Sequence, residues 1–273
     1  MNYLKFEFDI ENIEQQERLV ALLADLSFEG FEEDENSLNA FIHEDKFNKD
    51  EFSSVIDMFE SVSFIQTTIE NINWNQKWEE DFKPVMVEEF VGIRAWFHQP
   101  IKNVAHEIII TPKMSFGTGH HATTYLMIKQ MESISFNGKS VFDFGTGTGV
   151  LAILASKLGA EKVFAIDYDE WSITNAIENI EQNACSNITV EQMDTVPLDN
   201  KFDIILANIN LNVILDNLAS IKEVSAKGAI ILLSGILKEN ESALLQPIQE
   251  IGLLYLSTFQ RGDWIVVMLK MIQ

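Results

Sequence analysis

Val141-Phe142-Asp143-Phe144-Gly145-Thr146-Gly147-Thr148-Gly149-Val150-Leu151 decides the reading of this chain. A run of buried-type strand residues gives way to glycines at alternate positions, and an apolar helical stretch follows. Glycine there lets the backbone turn tightly and lets a ligand sit against it with no Cβ in between. The amides at the N-terminus of the following helix point into the same gap. Strand, glycine loop and helix in that order make a cofactor loop.

The spacing selects the cofactor. The dinucleotide fingerprint is G-x-G-x-x-G. Here the glycines run Gly145-x-Gly147-x-Gly149, and Asp143 stands two residues ahead of them. A carboxylate at that place repels a pyrophosphate and suits an ammonium group. A second acid, Asp167, ends the next strand, Val163-Phe164-Ala165-Ile166-Asp167. An acid about 20 residues on commonly holds a ribose diol. Ammonium plus ribose without phosphate reads as S-adenosylmethionine, and the pattern resembles the first two motifs of the Rossmann-like methyltransferases. A tight turn with no ligand would leave both placed acids without a purpose.

The rest of the chain agrees with a globular protein. Its 273 residues can bury a sizeable core in one or two domains. Hydrophobic residues are 47% and charged ones 22%, which excludes a disordered or fibrous class. The net charge of −23 repels nucleic acid and attracts basic partners, although salt screens it beyond about 8 Å. Solubility alone would equally account for that charge. The single cysteine, Cys185, excludes an internal disulfide and fits a reducing compartment. There is no basic-then-apolar leader at Met1–Asp9 and no apolar run long enough to cross a bilayer. The expectation is a cytoplasmic protein with no membrane partner.

Residues 1–70 have a rhythm of their own. Leu4, Phe6 and Phe8 alternate with Lys5, Glu7 and Asp9, as a half-buried strand does. Leu19, Leu22, Leu23 and Leu26 are helically spaced, and two short strands flank Asp34-Glu35-Asn36-Ser37. Asn48 reads as a helix start ahead of Phe52, Val55, Ile56 and Phe59, and Val62–Glu70 is rich in β-formers. The order β-α-β-β-α-β predicts a small α+β, ferredoxin-like domain. Residues 71–84 place Trp74, Trp78 and Phe82 on one helical face and stop at Pro84, a linker with an aromatic side. Residues 85–273 begin with a strand pair and then alternate Val/Ile/Leu-rich strands with helices, which predicts a mostly parallel sheet. Gly262-Asp263 joins two final strands as an antiparallel hairpin.

Three further places bear on chemistry. Met114-Ser115-Phe116-Gly117-Thr118-Gly119-His120-His121-Ala122-Thr123-Thr124 precedes the first helix of the second domain. Its threonines suit a helix cap or a polar ligand. No cysteine or acid accompanies His120 and His121, so no metal is expected and one histidine is read as ordering the loop. Asn208 closes a core strand, where residues face the ligand crevice. Its side-chain oxygen can accept from an amine, and capping the next helix is the competing role. Asp194 follows the strand at Ile188 and suits the adenine amino group or a plain loop acid.

Together, the 114–124 loop, the glycine strand, Asp167, Ala207-Asn208-Ile209, Leu233-Ser234-Gly235-Ile236-Leu237, the tryptophan linker and Asp263-Trp264 resemble one family across essentially the whole chain. These are the methyltransferases that modify the eleventh protein of the large ribosomal subunit. The resemblance implies methyl transfer from S-adenosylmethionine to the α-amino terminus and lysine side chains of that basic protein. It implies an α/β fold, a Rossmann-like class I methyltransferase sheet with a terminal antiparallel hairpin, and a small N-terminal domain that recognises the substrate. It assigns cofactor contacts to Thr124, Gly145, Asp167 and Asn208. The motif reading adds Asp143 and Gly147, and makes Asn208 the residue that orients the acceptor nitrogen. Departures from the family pattern fall at Thr111, Ala122, Thr146 and Asn210, where an acid, a proline, a cysteine and a leucine are common. The Asn210 change bears on the acceptor pocket. Rival readings are a class I methyltransferase of small molecules, a nicotinamide oxidoreductase and a non-catalytic ribosome-associated module.

Overall fold

A computed structural model of the chain describes residues 2–10, 13–34, 37–59, 62–69, 82–111 and 117–272. Two compact units divide at Asp81 and Phe82. The linker tryptophans Trp74 and Trp78 and the loop residues Met114, Ser115 and Phe116 lie outside the described residues.

The first unit runs β1 (Tyr3–Asp9), α1 (Ile13–Asp25), β2 (Gly30–Asp34), β3 (Ser37–His43), α2 (Lys49–Ile56) and β4 (Ser63–Ile69). Its sheet has the order β2-β3-β1-β4. β1 is antiparallel to both β3 and β4, the split βαβ arrangement. Alternation does what it should: Leu4, Phe6 and Phe8 are buried, with Lys5, Glu7 and Asp9 on the other face. Leu19 and Leu23 of α1 and Phe52 and Val55 of α2 complete this core. Asn48 caps α2, accepting from the amides of Asp50 and Glu51 at 3.1 and 3.4 Å.

The second unit opens with a three-stranded sheet, β5 (Val85–Val87), β6 (Val91–Ala95) and β7 (His106–Ile110). The expected strand pair is shorter than its apolar run. Glu88 adopts a positive φ and Phe90 N–H turns back to the Val87 carbonyl, which ends β5 early.

The main sheet comprises β8 (Ser140–Phe144), β9 (Lys162–Asp167), β10 (Ile188–Gln192), β11 (Phe202–Asn208), β12 (Ser225–Leu237), β13 (Leu254–Arg261) and β14 (Trp264–Lys270). Its order is β10-β9-β8-β11-β12-β14-β13. The first five strands are parallel, and β14 pairs antiparallel with β12 and β13. Helices α3 (Ala122–Met131), α4 (Val150–Lys157), α5 (Glu170–Gln182), α6 (Leu211–Val224) and α7 (Glu241–Glu250) accompany it. Continuous apolar strands reflect burial on both faces. In β11, Ile204 and Leu206 join one core cluster while Ile205 and Ala207 join another. The chain leaves the sheet in opposite directions from β8 and β11, which are neighbours. Such a reversal opens a crevice at the carboxyl ends of the strands.

Candidate functional site

A cavity of about 680 Å³ lies at that crevice. Gly145 and Gly147 from the loop after β8, Asp167 at the end of β9, Met193 and Asp194 after β10, and Asn208 at the end of β11 line it. Gly145, Gly147 and Gly149 all have positive φ, at 75°, 54° and 80°. That conformation is open to glycine and strained for other residues. Gly145 is also a close approach, because a Cβ there would stand 2.2 Å from Ile209 Cγ2.

Asp167 is pinned before any ligand arrives. Gly147 N–H donates to its Oδ2 at 2.9 Å, and Asp169 N–H donates to its Oδ1 at 3.1 Å. A carboxylate can accept about four hydrogen bonds, so each oxygen keeps capacity for one hydroxyl of a diol. Asn208 is held from behind. Its Nδ2 donates to Thr124 Oγ1 at 3.4 Å, and its buried Oδ1 has no partner. A buried polar atom without a bond costs about 1–3 kcal/mol, so this oxygen is built to receive a donor. The glycine cradle and the pinned acid fit a nucleoside such as S-adenosylmethionine, and the orphaned oxygen offers an acceptor to an amine in the same cavity.

The sequence-predicted residues divide into two layers. Gly145, Gly147, Asp167 and Asn208 reach the cavity wall, and Asp194 does too. Thr124 stands one hydrogen bond behind Asn208. Asp143 is fully buried beneath the loop, where its Oδ2 accepts from Thr146 Oγ1 at 2.7 Å and its Oδ1 has no partner. Burial raises its carboxyl to about 7; the Thr146 hydroxyl offsets part of that, and the Asp167 charge adds to it.

The departures also find places. Asn210, not Asn208, caps the next helix, accepting from Val213 N–H at 3.1 Å, and it lines the cavity as well. Thr111 binds α5: its N–H reaches Asn179 Oδ1 at 2.7 Å and its hydroxyl reaches Glu178 Oε1 at 3.1 Å. Thr146 supplies the bond to Asp143, and Ala122 is the first residue of α3. His121 orders its loop, with Nδ1 2.8 Å from Thr123 Oγ1 at the start of α3. Among the described residues, no group of His, Cys, Asp or Glu is placed to hold a metal.

Sequence reasoning did not single out Tyr168, Met193, Ile209, Val213, Gly235 or Trp264 as cavity residues. Position would have found some of them. Tyr168 and Met193 directly follow β9 and β10, at the strand ends that face a crevice. Gly235 needed tertiary knowledge: at φ 87° it lets the Ile209 carbonyl approach, and a Cβ there would meet that oxygen at 2.1 Å. Trp264 meets His121 edge to face, with ring centroids 4.7 Å apart.

A crevice so furnished, on a sheet of this order with an antiparallel wing, defines the class of the chain as a class I, S-adenosylmethionine-dependent methyltransferase. Comparison with known proteins narrows the class. The profile of the family described as "Ribosomal protein L11 methyltransferase (PrmA)" matches residues 5–271, and the chain belongs to that family. A ribosomal protein L11 methyltransferase of Bacteroides fragilis is 34% identical over 276 residues, covering 98% of this chain and 99% of its own. Its counterpart in Porphyromonas gingivalis is 36% identical, covering 97% of this chain and 96% of its own. The crystal structure of ribosomal protein L11 methylase from Lactobacillus delbrueckii subsp. bulgaricus superposes with a TM-score of 0.65 at 28% identity. It covers 70% of this chain and 100% of its own. A methyltransferase from Pyrococcus furiosus shares the fold at a TM-score of 0.51 and 18% identity, over 60% of this chain and 88% of its own.

Proposed function

We propose that the chain transfers methyl groups to amines of ribosomal protein L11, the α-amino terminus and lysine side chains, and that Asn208 orients the accepting nitrogen. The observation that carries this reading is the buried, unpartnered Oδ1 of Asn208 in the cavity wall. S-adenosylmethionine supplies a methyl group on a sulfonium, already activated for displacement. What remains for the protein is to hold the amine neutral, aligned and dry. Alignment of this kind supplies about 7–11 kcal/mol of a barrier. An unperturbed lysine has a pKa near 10.4, so its nitrogen must shed a proton to water before it attacks the methyl carbon and releases S-adenosylhomocysteine. Asn208 Oδ1 accepts from the neutral amine and thereby points the nitrogen lone pair away from itself. Asp167 holds the ribose diol, Gly145 and Gly147 give the ligand room, and Thr124 fixes the orientation of Asn208. The first unit serves substrate recognition. This reading places the reaction in the cytoplasm; among the described residues no helix is long and apolar enough to cross a membrane.

The test is mass spectrometry of purified L11 after incubation with enzyme and methyl donor. Mass gains in steps of one methyl on L11, absent without enzyme, are expected. Asn208→Ala should lose turnover by more than any accompanying loss of cofactor affinity accounts for; full turnover by that variant would remove Asn208 from the mechanism.

A further inference from the structure

We infer that Thr148 and Asn179 are positioning residues of the methyl-transfer site, joining the glycine loop to the segment that brings His121 to the cavity wall. Neither lines the cavity, so each acts through others. Both are fully buried.

Asn179 sits on α5 and uses its whole amide. Its Nδ2 donates to the Thr148 carbonyl at 2.8 Å and to Asn175 Oδ1 at 3.3 Å, and its Oδ1 accepts from Thr111 N–H at 2.7 Å. The two backbone partners, one an N–H and the other a carbonyl, fix which end of the amide faces which side. One side chain therefore ties the end of β7 to the glycine loop. Thr148 extends the connection: its Oγ1 donates to the Gly117 carbonyl at 2.9 Å. Gly117 is at φ 104°, and a Cβ there would stand 2.9 Å from that same Oγ1. The glycine permits the approach that the hydroxyl needs.

The connection ends in the site. Gly117 leads to His121, which caps α3, lines the cavity and packs on Trp264. α3 carries Thr124, the partner of Asn208. On the other side of Thr148, Gly147 N–H holds Asp167. A loop with three glycines at positive φ has little rigidity of its own. Thr148 supplies two anchors, one through its carbonyl and one through its hydroxyl, and the distance between Asp167 and the His121 wall depends on them.

The inference rests on the cavity being the cofactor site, and the experiment separates the two. Thr148→Val conserves shape and deletes the hydroxyl; Thr148→Ser keeps the hydroxyl and deletes a methyl. Cofactor affinity by calorimetry, kcat, the KM for L11 and for S-adenosylmethionine, and melting temperature are measured for each full-length protein. Thr148→Val should lower kcat over the cofactor KM by about tenfold, the equivalent of one lost hydrogen bond. Thr148→Ser should return to within about twofold of the parent, although it packs less well. Asn179→Ala should repeat the loss seen with Thr148→Val. Equal activity of the valine variant and the parent would overturn the inference. So would equal impairment of the valine and serine variants, or losses that track melting temperature alone. A parent protein that binds no S-adenosylmethionine would overturn the site assignment as well.

Discussion

Asp167 does two jobs with one carboxylate, holding Gly147 and Asp169 amides while keeping lone pairs for a ligand. Asp167→Ala should therefore weaken S-adenosylmethionine binding by more than the ~1.5–3 kcal/mol of a single charged hydrogen bond. Asp167→Asn, which keeps one acceptor, should fall between it and the parent; calorimetric affinities in any other order would refute the double role. Gly145 makes a second residue-scale case. Gly145→Ala drives a Cβ into Ile209 Cγ2 and strains the positive φ. Adding Ile209→Ala should relieve the collision and leave only the backbone cost of about 1–2 kcal/mol. No recovery in the double variant would mean that the strain lies elsewhere. Asp143 couples to pH. Its folded carboxyl keeps the proton to about 7, against an ordinary value of 3.8. The folded state thus binds more protons across that window. Asp143's contribution to stability is fully present below about pH 3.8 and is lost as pH rises through about 7. Asp143→Asn stays neutral, so its stability relative to the parent should climb from pH 4 to pH 7.5, toward about 4 kcal/mol. Urea midpoints at those pH values measure the difference, and a pH-independent difference would remove the buried proton from the account.

At the scale of elements, Asn210 illustrates how a loop side chain can serve a helix. Asn210→Ala should cost about 1 kcal/mol through the lost cap on α6; denaturant titration reads the loss, and an unchanged midpoint would remove the cap. The same position shows where sequence reading stops. Strand, glycine loop and helix were legible around Gly145 because conformation there is set locally by φ, and the parallel sheet was legible because both its faces are apolar. Whether Asn208 or Asn210 caps the helix was not, since the roles differ by a shift of two residues within one short loop. Asp143 and Thr124 were legible as important but not as buried supports. Motif spacing places a residue on an element and says nothing of its depth beneath a surface. Gly235 and Trp264 come from strands far along the chain, and the pairing of β12 with β11 and with β14 brings them to the crevice.

Across the whole molecule, charge is divided unevenly between the two units. Residues 1–81 hold 21 of the 42 acids and 5 of the 19 basic residues. A basic substrate steered by that field should show kcat/KM falling as salt rises, mainly through slower encounter. A flat salt profile on L11, with cofactor binding followed in parallel, would leave the charge as a solubility feature. Removing residues 1–81 should leave a unit that binds cofactor and loses activity on L11, and undiminished turnover would move recognition elsewhere. Among the described residues each unit has a buried core of its own, around Phe6 and Phe52 in the first and around the main sheet in the second. Heat should consequently melt the chain in two steps, and no single unfolding free energy then describes it. A ligand that binds only one folded unit stabilises that unit alone, by about 2.7 kcal/mol at a hundredfold excess over Kd. In a calorimeter, S-adenosylmethionine should move one of the two peaks upward and leave the other where it was, so the thermogram itself would show which part of the chain owns the cofactor.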